Sequence, residues 1–384
     1  MNKHKKILLS LVAVFIALLA AGLFYVKLLP VKNFSFHTDA VDAGLGTFSE
    51  ISKAKILKVI SEEAEITSRY SQLNGVYEAR ILNGPEANLV VTAELSEQVT
   101  ELNSQKLQEG DEIVIGKIKD PESSSYIIID RYRLDALAWL VGIFVFLGLL
   151  FGRRKGVLSL MGLAFSILIL LKFVAPSILE GKDPVLVTIL GAGMISVVSI
   201  FLSHGFNNRT LVAVVSTVLV LLLTLVGAWS FILAGKFLGL GSNEALYLEL
   251  GLLKGFDLRG IFLAGVVIST LGVLDDVTTT QAATVEEIKL VKPEAGFREL
   301  FSRANSVGKE HISSLINTLV LAYAGASFPF FLLLTFSSTQ PLWAVLNSEA
   351  LAEEILRTLV GSAALILAVP LTTALAAWYF RQKP

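Results

Sequence analysis

Long apolar runs separated by short charged segments fill most of the chain, and one polar region of period two interrupts them. The first run, Ile7 to Val26, follows Lys3, Lys5 and Lys6. A signal peptide begins in a similar way. Here the run has the ~20 residues of a membrane span, and Lys27 to Lys32 follows in place of a small-x-small cleavage site. Residues 1–30 are read as a signal anchor, a transmembrane helix in its own right. Further runs of span length are Leu134–Phe151, Val157–Val174, Pro184–Leu202, Thr210–Leu233, Leu258–Thr280, His311–Phe336 and Ile355–Tyr379. The pattern predicts a membrane all-α bundle of about eight transmembrane helices, with residues 132–384 as a seven-helix domain.

Residues 31–131 read differently. Apolar positions alternate with polar ones through Ala54–Ile60, Tyr77–Leu82, Asn88–Ala93, Glu112–Ile118 and Tyr126–Asp130. Asn83-Gly84-Pro85 and Glu109-Gly110-Asp111 are turn signals between these runs. Five short strands predict a small β-rich domain, an OB-like barrel, inserted after the first helix. It shows neither an aromatic stacking platform nor a basic stripe, so no nucleic-acid partner is expected.

Composition agrees with the apolar pattern. Of 384 residues, 54% are hydrophobic and 17% charged, with net charge −1 and mean hydropathy +0.68. Soluble domains are nearer a quarter charged, so the lipid bilayer is the principal environment. Lys3, Lys5, Lys6, Arg153, Arg154, Lys155, Arg209, Lys289, Lys292, Arg298, Arg303, Lys309, Arg381 and Lys383 all fall on one side of an eight-span topology. The positive-inside rule then predicts a multi-pass membrane protein with both termini cytoplasmic and the barrel extracytoplasmic.

Two segments outside the spans stand out. Gly239 to Gly255 on the outer side reads as an amphipathic or re-entrant helix. Residues 286–308 on the inner side read as an amphipathic helix pair broken at Pro293, with Leu300, Phe301 and Val307 on one face. That face either lies on the inner leaflet or docks a cytoplasmic partner.

The chemistry gathers around Leu271-Gly-Val-Leu-Asp-Asp-Val-Thr-Thr-Thr-Gln281, where two carboxylates stand in a span. A carboxylate facing hydrocarbon costs several kcal/mol, so it faces a polar interior or ends the helix. Span seven opens with Lys309-Glu310-His311 and continues through Ser313, Ser314, Asn317 and Thr318. Helical spacing aligns Glu310, Ser314, Asn317 and Leu321. Polar faces in lipid must meet each other or water, so spans six and seven are expected to pack face to face. Two neighbouring buried carboxyls resist ionising together, which suits a proton or cation relay. The candidate pathway is Asp275, Asp276, Thr279, Glu310, His311, Asn317 and Thr318, with Arg209 or Lys309 as counter-charge. The competing reading is that Asp275 and Asp276 cap or salt-bridge the inner end of a helix. His311 is equally an interfacial residue, and His204 a loop residue.

Other chemistries fail on inventory. Without Cys there is no disulfide, thiolate metal site or Cys nucleophile, and four His are too few for a His-rich metal site. The chain has no GxxxxGK[ST], GxSxG or HExxH. An aspartyl protease places its two acids about 3 Å apart, normally from different helices, whereas neighbours on one helix diverge by about 100°. No enzyme activity, metal or cofactor is expected.

Three blocks carry a resemblance: Pro184 to Thr210, Asp257-Leu-Arg-Gly260 leading to Gly272-Val-Leu-Asp-Asp-Val-Thr-Thr-Thr-Gln-Ala-Ala283, and Val307 to Ala326. Through them the chain resembles the bacterial YibE/F-like family of multi-pass membrane proteins. The barrel matches that family in layout alone. Gly272-Val273-Leu274-Asp275-Asp276 also looks like the Gly-x-x-x-Asp-Asp pattern of RND-type proton-driven pumps and the SecD/SecF translocation motor. Those proteins share an anchor before an external domain. This chain departs from them by two extra spans and a smaller external domain.

Three functions follow as expectations. The first is a secondary transporter or proton/cation-coupled permease for an unknown small solute or ion. The second is a membrane subunit of a larger complex, docked through residues 286–308 to a cytoplasmic partner. The third is a structural or sensory membrane protein without transport.

Overall fold

A computed structural model describes residues 48–66, 71–99, 107–119, 124–250, 256–329, 332 and 341–381. The anchor expected over residues 1–30 lies outside them. The chain divides into two compact units, with the boundary between Leu147 and Gly148.

The first unit holds five strands: β1 Phe48–Ile66, β2 Ser71–Ile81, β3 Val90–Val99, β4 Glu112–Lys119 and β5 Ser124–Arg131. They close into a barrel in the order β1-β2-β3-β5-β4. The pairs are antiparallel except β3 with β5, which run parallel at Ala93↔Tyr126 and Glu94↔Ile127. Alternation fills the interior: Ala54, Ile56, Tyr77, Ala79, Ile113 and Ile115 are buried together. Register shifts at Ile56/Lys58 and Val59/Ser61 let the 19-residue β1 bend round the barrel. The Tyr77 hydroxyl donates to Glu62 at 3.2 Å, and burial pushes its pKa up to about 12. At the surface Lys117 pairs with Glu86, and the Tyr126 hydroxyl donates to Glu86 at 2.8 Å. These two donors, Lys117 first, hold the Glu86 carboxyl below its usual range.

The second unit is helical. Helix α1, Leu134–Ile169, runs across the boundary and is interrupted at Arg153, where φ is 48° and ψ −131°. A continuous helix would put Gly148 and Gly156 about 12 Å apart. A Cβ added at Gly156 would instead meet the carbonyl oxygen of Gly148, so the chain turns back on itself here. The expected runs Leu134–Phe151 and Val157–Val174 are thus separated by a reversal with a basic tip, Arg153-Arg154-Lys155. A π-turn, Leu170–Val174, and α2, Ala175–Leu179, extend the second run.

Next come α3 Pro184–His204, α4 Asn208–Gly235, α5 Asn243–Leu250, α6 Leu258–Val291, α7 Phe297–Ala326, α8 Leu342–Leu346 and α9 Glu349–Phe380. Sequence explains the starts. Asp183 accepts from Leu186 N–H at 2.8 Å with Pro184 behind it, and Asn207 accepts from Thr210 N–H at 2.9 Å. Both are N-caps that satisfy otherwise orphaned amides.

Among the described residues, five helical segments are long and apolar enough to cross a membrane: Leu134–Leu179, Pro184–His204, Asn208–Gly235, Leu258–Val291 and Glu349–Phe380. The expected span His311–Phe336 is not one of them. Its helix begins at Phe297 and ends at Ala326, and a polar face dilutes its hydropathy. Part of the remainder, residues 330–331 and 333–336, lies outside the described residues.

Helix α6 is the hub. It packs most closely against α9 and α4, then α3, while α7 packs mainly on α9. The face-to-face pairing of spans six and seven is therefore corrected: α7 touches α6 but does not cover it. The reason is apolar. Val267, Leu271, Leu274 and Val277 of α6 share a core with Val220 of α4 and Leu365 and Ala368 of α9, and Leu319 of α7 joins it from one side.

Residues 286–308 are the end of α6, a turn and the start of α7. Leu300 and Ala304 are fully buried beside Val212 and Phe380, whereas Val307 is 54% exposed. The apolar face expected on a leaflet or partner is largely taken up by the bundle's own end. Buried Lys289 ties this region down by donating to the carbonyls of Pro293, Ala295 and Arg381.

Candidate functional site

Helix α6 continues past the acid pair to Val291. Asp275 thus stands about 26 Å along a 34-residue helix, in its middle. The reading that the acids cap a helix end is excluded.

Two polar stitches set the level of the site. The hydroxyls of Thr278 and Thr217 meet at 2.8 Å, joining α6 to α4 in a fully buried position. One turn on, Gln281 Nε2 donates to Ala304 O at 2.8 Å and to Thr373 Oγ1 at 2.7 Å, joining α6 to α7 and α9. Such bonds between membrane helices contribute about 0.6 kcal/mol each, up to ~1.7.

Asp275 stands about 9 Å along α6 from Gln281, and His311 about 10 Å along antiparallel α7 from Ala304. The two residues lie at the same level of the bundle, beside the shared core of Leu274, Val277, Ile312 and Leu315. Asp275 Oδ1 and His311 Nε2 are each buried, and neither has a hydrogen-bond partner among the described residues. A buried polar atom without a partner costs about 1–3 kcal/mol, so its retention calls for a functional account.

The other expected residues separate. Thr279 is buried, and its hydroxyl donates to Asp276 O at 3.2 Å. Asp276 is exposed and lies, with Arg209 and Lys155, within electrostatic reach of His204. Arg209 therefore sits in the neighbourhood of Asp276, although among the described residues no ion pair joins them. Lys309, Glu310, Asn317 and Thr318 are exposed on α7, away from Asp275. Thr318 donates to Ser314 O at 3.0 Å within its own helix. The expected pathway thus divides into an inner set, buried Thr279 with half-buried Asp275 and His311, and an outward face on α7.

A second acid cluster escaped sequence reasoning. At the start of α9, Glu349 Oε1 accepts from the backbone N–H of Leu238 at 2.5 Å, Gly239 at 3.0 Å and Leu240 at 3.5 Å. Glu353 Oε1 accepts from Gly241 N–H at 3.1 Å and is buried. Gly241 is required here, because an added Cβ would press on the Glu353 carboxyl. Arg357 lies over the Phe262 ring at 5.6 Å, one turn beyond Glu353. The available signal was two like charges four residues apart opening a span, an arrangement that is unfavourable on an isolated helix. Among the described residues no group of His, Asp and Glu is arranged to hold a metal ion.

The family model described as YibE/F-like protein matches residues 140–382, more than half of the chain and all of α3 to α9. No curated protein matches the chain, and no solved structure does. The similarity to RND-type pumps and the SecD/SecF motor has no counterpart among these matches.

Proposed function

The chain belongs to the YibE/F-like family, and on that premise we propose that it is a secondary transporter or proton/cation-coupled permease whose coupling acid is Asp275. The observation that carries this reading is the level shared by Asp275 and His311, each with a buried polar atom that has no partner among the described residues. A desolvated carboxyl disfavours its charged form and exchanges a proton when a conformational change brings it water or a counter-charge. In this reading His311 is the neighbouring proton acceptor across the α6–α7 contact. Thr278 and Gln281 hold α6 at its level against α4, α7 and α9. Asp276 stands nearer the basic end and serves as the exit side, with Arg209 in its neighbourhood.

The same reading places the protein in a bacterial cytoplasmic membrane with both termini inside. The supporting observation is the basic end of the bundle, where Arg209, Lys289, Lys292, Arg298 and Arg303 gather around the start of α4 and the α6–α7 turn. The competing reading, a membrane subunit docked by a cytoplasmic partner, has weaker support because Leu300 and Ala304 are already buried.

The test is proton and cation flux into proteoliposomes loaded with a pH dye, wild type against Asp275→Asn. Flux lost in the mutant, with insertion and abundance intact, is the expected result. Undiminished flux in Asp275→Asn would refute the assignment. No flux in wild type under an imposed gradient and potential would shift the weight to the multi-subunit reading.

A further inference from the structure

Helix α7 runs alongside α9 at the depth of the bilayer. A Cβ added at Gly308 would press on Val369, Leu319 shares a core with Ala364 and Leu365, and the Tyr323 hydroxyl approaches Gly361. Because α9 is one of the five spanning segments, the stretch of α7 from Gly308 to Tyr323 crosses the same depth. Its opposite face carries Glu310, Ser314, Asn317 and Leu321, all exposed among the described residues. The Asn317 amide therefore stands near mid-membrane, exposed among the described residues. Polar groups do not face acyl chains without large cost, so this face needs a polar cover.

We propose that the outward face of α7 is the interface between two copies of this chain. The chemistry fits a self-complementary partner better than an apolar one. Asn and Ser side chains each donate and accept, so the same face repeated across a two-fold axis satisfies both copies. The ionisable residues on its inner end, Lys309 and Glu310, have opposite signs, so neighbouring copies attract rather than repel. Further along, Gly325 has open space beside its Cα, which lets two backbones approach. This assignment rests on the depth of α7 and is independent of the transport reading.

The chain contains no cysteine, so single cysteines report the interface without further engineering. Ser314→Cys, Asn317→Cys and Leu321→Cys are oxidised in native membranes beside the controls Leu219→Cys and Leu223→Cys. Those controls are 47% and 48% exposed on the outward side of α4. Disulfide-linked dimers from the three α7 positions and not from the controls are expected. In reconstituted bilayers Asn317→Leu is expected to weaken dimerisation roughly threefold to tenfold. Equal cross-linking at α7 and control positions would overturn the proposal. An intrachain bond between Ala17→Cys and Asn317→Cys in place of the dimer would also overturn it, and would assign the cover to the N-terminal segment.

Discussion

At Glu349 and Glu353 the helical unit meets two carboxylates with four backbone amides, whereas at Asp275 it leaves a buried carboxyl oxygen without a partner among the described residues. Both pairs are Asp or Glu in long apolar helices. Their surroundings differ because of what lies opposite. Glu349 and Glu353 face the Leu238–Gly241 loop, whose amides no helix consumes, and they occupy the first turns of α9, where the helix dipole favours an anion. Asp275 stands in mid-helix, where the backbone amides are already bonded within the helix. A carboxyl that closes a loop is structural. A carboxyl left open in mid-helix is available to react.

The sharpest test of that contrast removes charge from each site in turn. Asp275→Asn is expected to lower flux at least about 100-fold, the scale of losing a proton-transfer group. Its thermal stability in detergent is expected to stay equal or rise, because the replaced oxygen had no bond to lose. Glu353→Gln is expected to retain wild-type flux per folded molecule. A destabilised Asp275→Asn with normal flux would reverse the two roles.

Next in size is Glu349→Ala. It strips an acceptor from three amides in one step, and bonds to a charged group contribute about 1.5–3 kcal/mol. A loss on the order of 2–3 kcal/mol is expected in unfolding, read as earlier protease cleavage at Leu238–Gly241 in the full chain. Unchanged cleavage would show that the loop is held by its own turn and not by α9.

Smaller again is Thr217→Val, which removes one buried hydroxyl facing Thr278. About 0.6 kcal/mol of stability is expected to be lost. Flux is expected to fall with it if the stitch sets the level of Asp275, three residues away on the same face. Lost stability with unaltered flux would confine the stitch to packing.

Much of this architecture was legible in the chain. The runs Pro184–Leu202 and Thr210–Leu233 became α3 and α4 almost unchanged, because Asp183 and Asn207 mark their starts. The five period-two runs all fell within or overlapped strands of the barrel. Alternation reports which side faces the core and nothing of neighbours, so the parallel β3–β5 pairing was not legible. The fate of Asp275 needed the structure, since the apolar run and its charged continuation form one helix. Glu349 was missed because its partners lie about 110 residues earlier. Helical spacing aligns Asn317 with Glu310 and Ser314, which fixes a face but not what that face meets.

Glu86, outside the membrane, extends the comparison to an acid whose charge is fully met. Lys117 and the Tyr126 hydroxyl hold it, and its pKa lies below the ordinary 4.5. A carboxyl with a depressed folded value contributes stability above its unfolded pKa and loses it as pH falls through the folded one. The Gly84–Leu89 turn, in which Ala87 N–H donates to Gly84 O and Leu89 N–H to Glu86 O, is therefore expected to loosen below about pH 4.5 and to be unchanged from pH 6 to 8. Amide exchange at Ala87 and Leu89 in the full chain, corrected for intrinsic rates, reads this directly. Glu86→Gln is expected to abolish the pH dependence. Because the group is exposed, solvent screens the pair and the effect is the smallest of the series. Exchange that loosens equally in Glu86→Gln would assign the pH response to other carboxyls of the barrel. A depressed acid at Glu86 beside an unpartnered one at Asp275 would show that the chain meets the charge of its acids where they build structure and withholds partners where they act.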